Sequence, residues 1–175
     1  MIISYSSYER DYGCSDFKVS SIQDAVDLAA SELSNLGENF EQEGLFVITM
    51  DEKLKVRTVR LLSLGTYNTI PISPQEICKQ ALRDNATNIL ILHNHPRSSS
   101  ASLMPSEADI RVTDNLLRAC SLLDIVLVDH LIVSSTYNRD HNYYSMRQGK
   151  VLDFQYYNKI ENLDLATYEA NLKWR

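Results

Sequence analysis

The chain lacks most of the features that would announce a special environment. Its 175 residues include only three cysteines, Cys14, Cys78 and Cys120, set far apart and without a CxxC pair. That argues for reduced thiols in a reducing compartment and against a cysteine-built zinc site. Positive charge is in deficit: 17 Lys and Arg against 23 Asp and Glu leave a formal net charge of -6. There is no global positive field to gather phosphates, so a nucleic-acid role would need a local patch. No apolar run approaches the ~20 residues of a membrane span. Met1, Ile2 and Ile3 pass at once into a polar segment rather than a signal peptide. A cytoplasmic protein with no membrane partner is expected. Internal repeats and low-complexity linkers are also missing, which leaves one domain of ordinary composition, long enough to bury a real core.

Residues 1–19 are rich in Ser, Tyr and charge without a sustained period and read as an irregular amino-terminal arm. From Ser20 or Ser21 as a cap, Ile22, Ala25, Val26, Ala29, Leu33 and Leu36 recur at helical spacing up to Gly37. Leu45 to Met50 reads as a short strand, Asp51 to Lys53 as a turn and Leu54 to Leu64 as a second strand, a hairpin-like pair. Within it Lys53, Lys55 and Arg57 form a basic stripe that could greet a polyanion, but charges opposite an apolar face are ordinarily its solvated side. After Gly65 and a polar loop through Pro71, a helix is predicted from Pro74 to Ala86 with Ile77, Ala81 and Leu82 inward. Ile89 to Leu92 is a buried strand. Ser106 caps a long helix with Ile110, Thr113, Leu116, Leu117, Cys120 and Leu123 as its inner stripe. Ile125 to Val133 is an apolar strand interrupted by Asp129 and His130, and Tyr143 to Met146 a last strand after the polar turn Asn138 to Asn142. Residues 153–175 form a tail with room for an amphipathic helix around Leu163 to Leu172. This alternation predicts an α/β fold, a mixed β-sheet flanked by helices, over residues 20–152.

The chemistry concentrates in NILILHNHPRSSSASLMPSEAD, residues 88 to 109. Side chains alternate across a strand, so His93 and His95 face the same way and can converge on one ion at about 2.0–2.1 Å, while Asn94 points elsewhere. Ser106 and Asp109 have an innocent reading as a capping box. However, a helix entered just after the histidine strand can return its first turn to the strand's end, bringing Asp109 to the histidines. Two His and one Asp leave a fourth position for water, the catalytic rather than the structural arrangement of zinc. Such a water still needs a base. Glu41 and Glu43 both precede Leu45 and, if extended, point the same way, so spacing does not choose between them. Ser106 could also donate to a developing oxyanion. His130, after Asp129, reads equally as an orienter of a ligand or as a hydrogen-bonded core histidine. His141 has no partner in view.

HNHP, a loop, Pro-Ser-x-x-Asp and a distal DH resemble the JAMM (MPN-plus, or JAB) metalloprotease domain in its bacterial RadC-like branch. The similarity runs from about Ser20 to Leu152 and includes LSLGTYN, PQEICKQAL, LLDIVLVDHLIV and YYSMRQGKVL. It implies a cytidine-deaminase-like architecture, one Zn2+ per chain on His93, His95 and Asp109, Ser106 as oxyanion donor, and hydrolysis of peptide or isopeptide amide bonds in a protein or peptide substrate. The family's register to Asp51 selects Glu43 over Glu41 as general base. A deaminase is excluded because no PCxxC follows. Two departures stand out: the segment Arg97 to Pro105 lacks the family's glycine and runs about three residues longer, and the chain has no room for the helix-hairpin-helix module of longer RadC proteins. A nucleic-acid partner therefore transfers weakly. The alternatives are a non-hydrolytic scaffold, using the sheet and the tail, or a DNA-processing accessory protein.

Overall fold

The computed structural model describes residues 9–13, 16–35, 42–65, 73–95, 103–134 and 143–157. Its sheet is built from β1 (Glu9–Asp11), β2 (Glu43–Met50), β3 (Val56–Gly65), β4 (Asn88–His95), β5 (Val126–Ser134) and β6 (Tyr143–Ser145). The helices are α1 (Ile22–Asn35), α2 (Pro74–Arg83), α3 (Glu107–Leu122) and α4 (Phe154–Tyr157). The strands lie in the order β1-β3-β2-β4-β5-β6. Only β4 and β5 run parallel, joined through α3, and every other pair is antiparallel. This is the mixed sheet flanked by helices that the alternating pattern predicts.

Period-two alternation sends the two sides of each central strand into different cores. Phe46, Ile48, Leu90 and Leu92 pack with α1, whereas Leu45, Val47, Ile89 and Ile91 pack with α2, α3 and Phe154 of α4. At about 1.5–3 kcal/mol for each large apolar side chain taken from water, this two-sided burial holds β4 at the centre of the molecule. In α3 the N-cap is Ser106 and α2 begins with Pro74 in its first turn, both as expected, while the cap of α2, Ser73, is added by the structure. Cys78 and Cys120 are buried free thiols, and no described helix is long and apolar enough to cross a membrane.

Several expectations are corrected. Glu9–Asp11, within the arm expected to be irregular, pairs with β3; its own residues are all exposed, so the backbone edge of β3 organises it rather than any side-chain pattern. Leu82 is 57% exposed, because the inner face of α2 centres on Ile77, Cys78 and Ala81 and the next residue is rotated about 100° onward. Leu123 is likewise exposed as the C-cap of α3. The basic stripe keeps to the solvated side as expected, with Lys53 exposed and Lys55 in a surface pair with Asp16 at 2.6 Å, while the half-buried Arg57 also donates to the Asp84 carbonyl. The expected features at Cys14, Leu36, Gly37, Glu41, Pro71, 96–102, 138–142 and Leu163 to Leu172 lie outside the described residues.

One buried ionic knot ties α2 to the hairpin. The Asp84 carboxylate, at the C-cap of α2, accepts from Thr49 at 2.7 Å, from Thr58 at 2.6 Å and from the Arg60 guanidinium. Arg60 also reaches Glu9 of the edge strand at 2.9 Å. Burial pushes the Asp84 carboxyl up, but Arg60, Thr58 and Thr49 together hold it below its ordinary 3.8. A depressed carboxylate stabilises the fold above its unfolded value and loses that contribution as pH falls through the folded one. Asp84→Ala is expected to cost about 3 kcal/mol near neutral pH, the lower end for breaking a buried pair, since Glu9 still faces Arg60. It should also flatten the acid limb of stability against pH, measured by urea unfolding between neutral pH and pH 3.

Candidate metal centre

β4 leaves the core with its alternation intact. His93 and His95 therefore project on the same side as Ile89 and Ile91, toward α3, with their Nε2 atoms 3.0 Å apart. His93 is only 2% exposed. The crossover to β5 starts α3 beside this strand end, and Asp109 Oδ1 comes to 3.8 Å from His93 Nε2. One ligand atom from each of His93, His95 and Asp109 lies within 4.8 Å of the others. Bonds of about 2.0–2.1 Å at tetrahedral angles place ligand atoms roughly 3.3 Å apart. The His93–His95 and His93–Asp109 separations of 3.0 and 3.8 Å bracket that value, and the three donors together could hold a metal ion.

The capping and ligand readings of Asp109 are one geometry. Asp109 Oδ2 accepts from the Ser106 backbone N–H at 2.8 Å and from its hydroxyl at 2.6 Å, while Ser106 Oγ accepts from the Asp109 N–H at 3.2 Å. The capping box fixes the carboxylate rotamer and leaves Oδ1 turned to the histidines. The single proton of the exposed Ser106 hydroxyl is thereby directed at Asp109.

Glu43 opens β2. Leu45 stands opposite His93 in the antiparallel register, so Glu43 comes level with His95 and shares the Leu45 face. Half burial pushes its carboxyl up; the charge of His95 lowers it and that of Asp109 raises it again, so it senses both candidate ligands. Asn94 faces the other side of the sheet, where its Oδ1 accepts from Gly44 N at 2.8 Å and its Nδ2 donates to Gln42 O at 2.9 Å. Those two residues flank Glu43. The residue between the histidines thus holds the backbone that presents the candidate base.

β5 supplies an inner layer. Between the pairs Ile89↔Leu127 and Ile91↔His130, three residue steps on β5 match two on β4. This bulge swings His130, rather than Asp129, beneath His93. His130 Nε2 lies 2.8 Å from His93 Nδ1, and His130 Nδ1 lies 2.7 Å from Thr113 Oγ1. Asp129 holds the bulge. One carboxylate oxygen accepts from the His130 backbone N–H at 2.7 Å and the Arg147 N–H at 3.1 Å, and the other accepts from the Ser145 hydroxyl. Its carboxyl is pushed up by burial to about 6, against the pull of those donors. Asp129 therefore orients His130 through its backbone and not through its ring. Burial lowers His93 to about 4, against the opposing charge of Asp109 and with help from His95; burial also drives His130 well below its ordinary value. Both imidazoles are neutral at neutral pH.

Ser106, Asp109, His93, His95 and Glu43 are thus brought to one end of the sheet, whereas Glu41 and His141 lie outside the described residues. The roles of Thr113 and Asn94 were not read from sequence. Thr113 passes for part of the apolar stripe of α3, although four residues after Asp109 it occupies the same helical face. An Asn in a fully buried strand must find polar partners, which is the signal that Asn94 carried.

Residues 19–151 match the family model of the RadC-like JAB domain. A "UPF0758 protein" of Chlorobium chlorochromatii is 39% identical over 111 residues, 63% of this chain and 46% of that protein. One from Finegoldia magna is 38% identical over 61% of this chain and 44% of its own length. A third, from Microcystis aeruginosa, is 34% identical over 71% and 48%. The chain spans about half the length of these curated relatives.

Asn94→Ala should leave the Gly44 N–H without its acceptor and lower stability by about 1–3 kcal/mol. Metal stoichiometry should stay at the wild-type value, because Asn94 faces away from His93, His95 and Asp109. A urea midpoint equal to wild type would remove the clamp assigned to it.

Proposed function

Because this chain belongs to the RadC-like JAB domain family, we propose that it is a zinc-dependent hydrolase of peptide or isopeptide amide bonds. The observation that carries this reading is the convergence of His93, His95 and Asp109 within 4.8 Å, with Glu43 on the same sheet face level with His95. Three protein donors leave a coordination position open, as catalytic zinc sites do. A bound zinc supplies an acidified water, with a pKa of about 7, and a Lewis acid for the substrate carbonyl.

The residues divide the remaining work. Glu43 takes a proton as the water oxygen attacks the carbonyl carbon, then delivers it to the leaving nitrogen as the C–N bond breaks, giving a carboxylic acid and an amine that become carboxylate and ammonium when the acid's proton passes to the amine. Its half-buried position excludes much of the solvent that would compete for that proton. Ser106 steadies the oxyanion by turning its hydroxyl from Asp109 to the substrate oxygen. Meanwhile its backbone N–H, 2.8 Å from Asp109 Oδ2, keeps the carboxylate in place. The substrate is a peptide or protein, and the segment Arg97 to Pro105, which departs from the family pattern between His95 and Ser106 in the sequence, is where its selectivity would reside.

The test pairs metal content with cleavage of a quenched-fluorescence library containing peptide and lysine-isopeptide bonds. Wild type is expected to take up one zinc per chain and cleave. Glu43→Gln should keep the zinc and lose cleavage by about 10²-fold or more, and His93→Ala should lose the zinc. Full cleavage by Glu43→Gln, or no zinc uptake by wild type, would overturn the proposal.

A further inference from the structure

The contacts beneath His93 form a chain whose proton direction can be read from its far end. Thr113 Oγ1 lies 2.7 Å from the Asp109 carbonyl oxygen and 3.5 Å from Met146 Sδ. Neither atom carries a proton, and two oxygens at 2.7 Å without one between them repel. The hydroxyl proton of Thr113 must therefore point at Asp109 O. Its oxygen then faces His130 Nδ1 at 2.7 Å as an acceptor, so that nitrogen carries the hydrogen. A neutral imidazole has one N–H, which leaves His130 Nε2 as an acceptor. His93 Nδ1, 2.8 Å away, is then the donor. His93 Nε2 is then the acceptor nitrogen, the atom 3.0 Å from His95 Nε2 and 3.8 Å from Asp109 Oδ1.

We propose that Thr113 and His130 are positioning residues that fix His93 as its Nδ1–H tautomer, so that Nε2 is ready to bind a metal before any metal arrives. This rests on the reading of His93 as a ligand. Every member is buried: Thr113 and His130 are 0% exposed, and His93 is 2%. The geometry also closes on itself. Asp109 offers Oδ1 to the site and its own backbone carbonyl to the end of the chain. The ligand from β4 and the ligand from α3 are therefore held to each other through the core, by way of β5. Asp129 belongs to the same device, since its hold on the His130 backbone keeps the bulge that aims the ring. Outer partners of this kind set which imidazole nitrogen is free and how the ring is turned.

Histidine side-chain ¹⁵N–¹H correlation spectra of the metal-free wild-type protein test this without any substitution. His93 and His130 should each appear as a single Nδ1–H tautomer. Thr113→Val keeps the shape but removes the acceptor and the donor; it should give mixed tautomers at both histidines and bind zinc about 10- to 100-fold more weakly. Thr113→Ser, which restores the hydroxyl, should recover both readouts. An Nε2–H tautomer at His93 in wild type would overturn the proposal, and so would a Thr113→Val protein with one fixed tautomer and wild-type zinc affinity. A wild-type protein with the fixed tautomer that binds no zinc would uphold the chain of donors while removing the hydrolase reading, so the two fail separately.

Discussion

The site depends on β4 being bonded along both edges, antiparallel to β2 and parallel to β5. A strand so held cannot rotate its last residues to suit a ligand. Each side chain goes to the face that its parity dictates, and neighbouring elements must supply what that face needs. His93 and His95 fall on the α3 side, and Asn94 falls on the other. The edge shared with β2 brings Glu43 level with His95, and the edge shared with β5 brings His130 under His93. The parallel pairing requires a crossover, and that crossover delivers Asp109 to the strand end.

This arrangement has an electrostatic cost. A buried polar group without a hydrogen bond costs about 1–3 kcal/mol in proteins, and His93, His130, Thr113, Asn94 and Asp129 are all nearly or wholly buried. The molecule meets that cost by giving each of them a specific partner within hydrogen-bond reach. The same contacts stiffen the site. Asp109 is tied by the capping box, Glu43 is presented by a backbone clamped through Asn94, and His93 rests on a row that ends at a helix carbonyl. Rigidity of this kind suits a donor set that could hold a metal ion.

Where sequence and structure part, the cause is a neighbouring element or a residue's place at the edge or end of its own. The strand Glu9–Asp11 has no apolar pattern because it is recruited by the free edge of β3, tied there by Glu9 on Arg60. Leu82 and Leu123 are apolar at nearly helical spacing, yet one is rotated off the packed face and the other has reached the helix end. The short helix Phe154–Tyr157 buries Phe154 against the α2 and α3 side, a contact that periodicity over four residues cannot announce. Asp129 and His130 are adjacent, so strict alternation would turn Asp129 toward the ligands. The bulge reverses that choice, and no local pattern marks where a bulge falls.

The sequence by itself determined the α/β class, the cap of α3, the two-residue spacing that puts both histidines on one face, and the family to which the chain belongs. These follow from local periodicity, capping chemistry and motif spacing, which act over a few residues. Only the tertiary structure decided the rest: that Asp109 caps its helix and faces the histidines at once, that Asn94 steadies the backbone around Glu43, and that Thr113 and His130 lie in line behind His93. Those are meetings between residues many positions apart, set by strand register, crossover and bulge, and a linear pattern does not encode which partners a buried polar group will find.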